Sequence, residues 1–203
     1  MKSVLVDLND ASATLPNSYN SVENITPLET PLSSTINGAA LATPVFLSLY
    51  VENDLRLDKY FAETDEKGFR KNKKAGSNNY LCTFRVGEIY LTAAEAAARL
   101  GELSQARTRL LELMRKRYAP EAYEAKSVVV NAMDKEALVQ EILDERAREL
   151  AFEGHRWFDL RRSTRPRLEK VLDGTRYVLE ENDARYTLAI PKEAIEANPG
   201  LLN

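Results

Sequence analysis

Three glutamates, Glu145, Glu149 and Glu153, stand four residues apart in the stretch ERARELAFEGHRWFDLRR, which runs from Glu145 to Arg162. On a helix that spacing puts the three carboxylates in one column. A carboxylate column followed by a histidine, here His155, has the make-up of a metal or di-metal site. Two of the carboxylates could also act as acid and base in glycoside hydrolysis. The column is unusual in a second way. With Leu138 at zero and about 100° per residue, Ile142, Val139 and Leu150 fall at about 40°, 100° and 120° and define an apolar stripe. Glu149, Glu153 and Arg146 fall at about 20°, 60° and 80°, inside that stripe. A solvated face does not explain charges there. They are either buried and paired, or they face a site.

The neighbouring residue types favour pairing. His155 lies beyond Gly154, off the regular helix, and it is the single histidine of the chain. Arg146, Arg148, Arg156, Arg161 and Arg162 supply enough cations to neutralise the carboxylates. Bidentate arginine–carboxylate pairs need no metal. The expected arrangement is a structural ion network drawn from Arg146, Glu149, Glu153, Arg156 and Arg161, with no catalytic residue, metal or cofactor. Other chemistries lack their parts. Cys82, the only cysteine, has no base placed near it in sequence, and no G-x-S-x-G motif is present. No phosphate-cradling glycine loop occurs. For ligand binding, the tyrosines in polar surroundings are the candidates: Tyr19, Tyr50, Tyr60 and Tyr80. Trp157 and Phe158 read as core.

The elements that position these residues are mostly helical. Residues 2–8 look like a short strand, and 9–43 are rich in Ser, Thr, Asn and Pro and read as a long loop. Residues 44–61 are apolar and suggest two short helices, one ending near Asn53 and one starting after Asp54. Residues 62–79 read as loop or hairpin, and Tyr80–Phe84 as a short strand. A helix is expected from about Arg85 to Leu100, with a face of Ile89, Ala93, Ala96, Ala97 and Leu100, stopped by Gly101. A second helix capped by Ser104 should run to about Tyr118, with Ala106, Leu110 and Leu113 inward and Pro120 as a stop. Together, 85–118 resemble one tetratricopeptide repeat, although no second copy is visible and a single repeat cannot bury its own face. Residues 119–133 read as a connecting loop. The central helix should span about Lys135 to Glu153 with Asp134 as its N-cap, and His155–Arg162 add a turn or two. A hairpin of Thr175–Leu179 with Arg185–Ile190 and a short helix at Lys192–Ala197 complete the chain. The fold class is mainly α. Composition sets a loop-rich segment, 1–52, apart from 53–203.

The chain has 203 residues, 44% of them hydrophobic and 29% charged, with a net charge of −3. That suits a globular protein with a real core, and the interspersed charges give no nucleic-acid footprint. No apolar run approaches the roughly 18 residues of a membrane-spanning helix. The N-terminal residues do not read as a signal peptide.

ERARELAFEGHRWFDLRR closely resembles the C-terminal hallmark of the SusD/RagB family. FRVGEIYLTAAEAAARLG at 84–101 resembles the helix entering that family's last tetratricopeptide-like unit. NDLRLDKYF at 53–61 resembles its Asp-Leu-Arg segment, and TLAIPKEAIEANPGLLN its terminal strand, Ile-Pro step and Asn-Pro tail. The resemblance implies a SusD-like C-terminal region over 53–203, holding one tetratricopeptide-like unit (85–118), the hallmark helix (134–162) and a small β-hairpin (175–190). Full members are longer and begin with a lipidated cysteine, so this chain is expected to be the C-terminal part of one, with the anchor absent. The resemblance further implies a non-enzymatic protein on the outer surface of the outer membrane. It would bind an oligosaccharide or peptide nutrient and deliver it to a TonB-dependent transporter of the SusC type. The alternative is a helical scaffold that docks on the transporter and has no ligand site of its own.

Overall fold

The computed structural model describes residues 4–18, 20–27, 41–74, 83–172 and 174–202. The chain divides into two compact units, Met1–Arg156 and Trp157–Asn203. Residues 1–52 and 53–156, set apart by composition, share the first unit. Val6 and Leu8 pack in one cluster with Tyr60, Phe61 and Ala151, which removes the expected boundary at 52.

The first unit contains β1 (Asn24–Pro27), β2 (Leu41–Ala42), α1 (Pro44–Leu47), α2 (Arg56–Tyr60), β3 (Phe61–Thr64), β4 (Arg70–Asn72) and β5 (Thr83–Arg85). The helices α3 (Val86–Leu100), α4 (Leu103–Met114), α5 (Pro120–Ala132) and α6 (Lys135–Glu149) follow. β1 pairs with β5, and β2–β4–β3 form a small antiparallel sheet. Of the expected strand at 2–8, the described residues 4–8 form no strand. Their backbone groups are used elsewhere: Val6 N–H donates to the Glu23 carboxylate at 2.8 Å, and Leu8 N–H to Lys116 O at 2.9 Å. Their side chains do alternate. Leu5 packs against the helical core, while Val6 and Leu8 enter the cluster with Tyr60 and Phe61.

α3 and α4 form the expected hairpin. Gly101 adopts φ 85°, and its N–H and that of Glu102 return to Ala98 O and Ala97 O, closing the helix end. The buried face of α3 is not the expected one. Ile89 and Leu100 are exposed, Leu100 to 77%, and Leu91, Ala94, Ala97 and Ala98 face the core. Alanines occupy both faces, so the periodicity of small residues does not fix the rotation. The position of Leu91 does. On α4, Ala106, Leu110 and Leu113 point inward as expected, but the cap is Glu102 rather than Ser104, and the helix stops at Met114.

Residues 119–133, expected to be a loop, are helical. Pro120 occupies the first turn of α5, where its missing N–H has no helical partner to lose and its fixed φ suits the helix. Of Val128, Val129 and Val130, only Val130 is buried. α6 starts as expected, with Asp134 Oδ1 accepting from Ala137 N–H at 2.9 Å. It ends four residues early, at Glu149. The chain then turns through left-handed residues at Phe152 (φ 60°) and Gly154 (φ 86°). A left-handed phenylalanine costs roughly 1–2 kcal/mol. Its ring meets Phe46 and Phe61 edge-on at 6.2 and 6.0 Å, and that packing offsets the cost.

In the second unit, α7 (Arg156–Arg162, beginning at the unit boundary) precedes a hairpin of β6 (Leu168–Leu172) and β7 (Thr175–Leu179). The expected partner of 175–179, residues 185–190, is a 3-10 turn at Ala184–Tyr186 followed by coil. The true hairpin turns at Gly174, which adopts φ 76°. Trp157, expected in the core, is half-buried and stacks on the buried Tyr186 with centroids 5.2 Å apart. Phe158, also expected in the core, is 62% exposed. α8 (Lys192–Ala197) lies where it was expected.

Candidate functional site

Glu149 is the centre of the first unit's polar interior. It is fully buried and ends α6. Three guanidinium groups converge on its carboxylate: Arg85 Nη1 at 2.6 Å, Arg117 Nε at 2.9 Å and Arg56 Nη1 at 3.1 Å. Each arrives from a different element. Arg56 opens α2, Arg85 caps α3, and Arg117 follows α4. One helical turn earlier, Glu145 accepts from Arg56 Nη1 at 2.7 Å, Arg148 Nε at 2.8 Å and Tyr118 Oη at 2.9 Å. Beyond the helix end, Glu153 accepts from Arg85 Nε at 3.0 Å and Nη2 at 2.9 Å, and from Lys74 Nζ. Because α6 stops at Glu149, the chain turns back and brings Glu153 onto the same Arg85. Arg85 Nη2 and Lys74 Nζ also donate to Glu149 O at 2.8 and 2.9 Å, placing two cations at the negative end of α6.

The outer members complete a balanced set. Asp54 takes a fork from Arg56 Nε and Nη2 at 2.9 and 2.8 Å, and Glu23 accepts from Arg85 Nη1 and Arg117 Nη2. The carboxylates of Glu23, Asp54, Glu145, Glu149 and Glu153 thus meet Arg56, Lys74, Arg85, Arg117 and Arg148, and at the partly exposed edge Glu141 pairs with Arg148 at 2.6 Å and with Lys126 at 2.9 Å. Aromatic faces close the cluster. Arg56 lies over the Tyr118 ring at 5.0 Å, and Lys74 Nζ over the Tyr60 ring at 4.4 Å.

Burial alone would raise each carboxyl pKa, but the guanidinium charges reverse this. Arg56 and Arg148 hold Glu145 down to about 2. Arg117, Arg85 and Arg56 hold Glu149 well below the usual range, and Arg85 with Lys74 lowers Glu153. Burial pushes the Lys74 ammonium down to about 8 even though Glu153 accepts from it. A general acid needs a raised carboxyl pKa and an open face. These three carboxylates have neither.

Two expected outcomes follow from this geometry. The folded pKa of Glu145, about 2, lies below its unfolded value of 4.5. Its stabilising contribution is therefore complete above 4.5 and is lost as pH falls from 4.5 towards 2. That contribution is about 3 kcal/mol, and melting temperatures measured at descending pH should fall steeply through this window. The second concerns Gly87, where an added Cβ would lie 2.6 Å from Arg85 Nη1 and 3.1 Å from Glu149 Oε1. Arg85 is pinned by its carboxylates and cannot swing aside without breaking them. Gly87→Ala should cost about 1–3 kcal/mol in urea denaturation.

Of the expected network residues, Glu149 and Glu153 take the central roles. Arg146 instead donates to the Thr92 hydroxyl at 3.2 Å, Arg156 begins α7, and Arg161 belongs to the second unit. The arginines on Glu149 are Arg56, Arg85 and Arg117, none of them among the expected network residues. Of the expected ligand tyrosines, Tyr50 and Tyr60 are buried. Tyr50 is 7% exposed and donates to Arg148 O at 2.8 Å, and Tyr60 is 0% exposed. Tyr19 and Tyr80 lie outside the described residues. An open cleft of about 590 Å³ lies elsewhere, between the N-terminal segment, the end of α4 and one face of α5.

The SusD family model matches residues 46–203, most of the chain. No curated protein matches the sequence. Among solved structures, a SusD-like carbohydrate binding protein from Bacteroides vulgatus aligns with a TM-score of 0.64 at 18% identity, over 98% of this chain and 52% of its own. The chain thus spans about half the length of that relative and shares its fold. The segments that carry Arg56, Arg85 and the glutamate column fall within the matched span, and the chain belongs to the SusD family.

Proposed function

We propose that the chain is part of a non-catalytic, glycan-binding protein of the bacterial outer membrane surface, which passes oligosaccharide to a TonB-dependent SusC-type transporter. The observation that carries this reading is the family match over 46–203. The likeness to a protein described as carbohydrate binding supports it. So does the engagement of Glu145, Glu149 and Glu153 by arginine or lysine, which leaves these carboxylates unsuited to hydrolysis. Binding would rest on stacking and hydrogen bonds to hydroxyls, with the ionic cluster holding the helices that present them. Isothermal titration against neutral oligosaccharides tests the reading. Saturable heat with the saccharide recovered intact is expected. Absence of heat across the panel, or cleavage of the saccharide, would overturn it. Capture of the transporter without any saccharide affinity would favour a docking scaffold instead.

A further inference from the structure

The cleft of about 590 Å³ lies within the range of small-molecule sites, roughly 300–1,000 Å³. One wall is a single face of α5. Tyr123, Ser127 and Asn131 recur there every four residues, so a ring, a hydroxyl and an amide stand in a row. Tyr123 is half-buried against the helical core, which holds its ring in place. Ser127 Oγ donates to Glu124 O at 2.8 Å, which leaves its oxygen free to accept. Arg115, from the turn after α4, and Glu124 add to the polar lining, together with Asp7, Asn9 and Lys116. Among the described residues, the side chains of Arg115, Glu124 and Asn131 make no hydrogen bond or ion pair.

The charge balance indicates the class of ligand. Asp7 and Glu124 offset Arg115 and Lys116, and Asp7 already pairs with Lys116 at 2.8 Å. The lining is neutral in sum, so neither an anion nor a cation gains from it. What it offers is one fixed aromatic face and unspent planar polar groups. Those suit a neutral polyhydroxylated ring, with C–H groups on the tyrosine and hydroxyls shared between amide, guanidinium and carboxylate. We infer that this cleft is a neutral-oligosaccharide subsite, with Tyr123 as platform and Arg115, Glu124 and Asn131 as hydrogen-bonding groups. The inference rests on the glycan-binding reading and assigns it a place.

The test is an amide chemical-shift titration of the isotope-labelled chain with neutral hexasaccharides of glucose, xylose and mannose. A neutral glycine–serine hexapeptide is run in parallel. At least one saccharide should give saturable shifts clustered at residues 115–131. Tyr123→Ala should weaken that binding by about tenfold, and Asn131→Ala by about threefold. Asn131 is exposed, so the second variant keeps the fold and should leave the melting temperature unchanged. Saccharide binding that Arg115→Ala and Asn131→Ala leave unaltered would overturn the subsite while the glycan-binding reading stands. No saccharide shifts anywhere would overturn both. Shifts in the cleft from the peptide alone would overturn the saccharide assignment.

Discussion

Glu149→Ala is expected to lower the stability of the chain by about 3–5 kcal/mol, the usual cost of removing one member of a buried ion pair. The side chain is fully buried, and three guanidinium groups aim at it from α2, the α3 cap and the turn after α4. Alanine would leave Arg56, Arg85 and Arg117 short of an acceptor and give the cluster a net positive charge. Water cannot replace the lost charge without opening the core. For a domain of this size the melting temperature should fall by about 10 °C or more. Glu121→Ala, on the exposed side of α5, should change it by no more than a degree or two.

Arg56→Ala should be comparably damaging, at about 3–5 kcal/mol, because it strands Asp54 and Glu145 together. Arg56 also spans two distant parts of the chain, joining Asp54 to α6. Lysine should not restore the loss. The Asp54 fork needs two parallel N–H donors, Glu145 and Glu149 take the remaining ones, and the flat guanidinium lies over Tyr118. Urea denaturation of Arg56→Ala and Arg56→Lys should therefore show both well below the parent, with lysine recovering less than half the difference.

The centre of this cluster was legible in the sequence, and its partners were not. Charges within the apolar stripe of α6 announce buried pairing by periodicity alone. Which cations they meet depends on tertiary packing, and neighbours in sequence misled. Arg146 shares the helix but reaches Thr92, whereas the Glu149 partners lie 32 to 93 residues away. A signal did exist. Two of the three arginines stand inside NDLRLDKYF and FRVGEIY, segments already singled out by resemblance to the SusD/RagB family. For Tyr50 and Tyr60, local polarity in the sequence did not mean exposure. Tyr60 sits in a charged stretch, yet Lys74, which lies over its ring, is itself buried. α5 was hidden by Pro120 and its valine run, both of which argue against a helix until the proline is placed in the first turn. The face that carries Tyr123 was hidden with it.

The balanced composition of the cluster has a physical reason. Cations from separate places on the chain converge on acids carried largely by α6 and the turn that follows it. The pairs made by Arg56, Lys74, Arg85 and Arg117 with the α6 glutamates and Glu153 join segments remote in sequence, so the network specifies a single arrangement of the helices. A cluster that holds the scaffold cannot also exchange protons with a substrate. The direct test is a pH titration of the glutamate side-chain carboxyl carbons by nuclear magnetic resonance. The account predicts that Glu145, Glu149 and Glu153 stay ionised as pH falls through 4.5 and take up protons only when the chain unfolds. A folded chain in which any of the three titrates at or above 4.5 would contradict the ionic brace and return that residue to consideration as an acid.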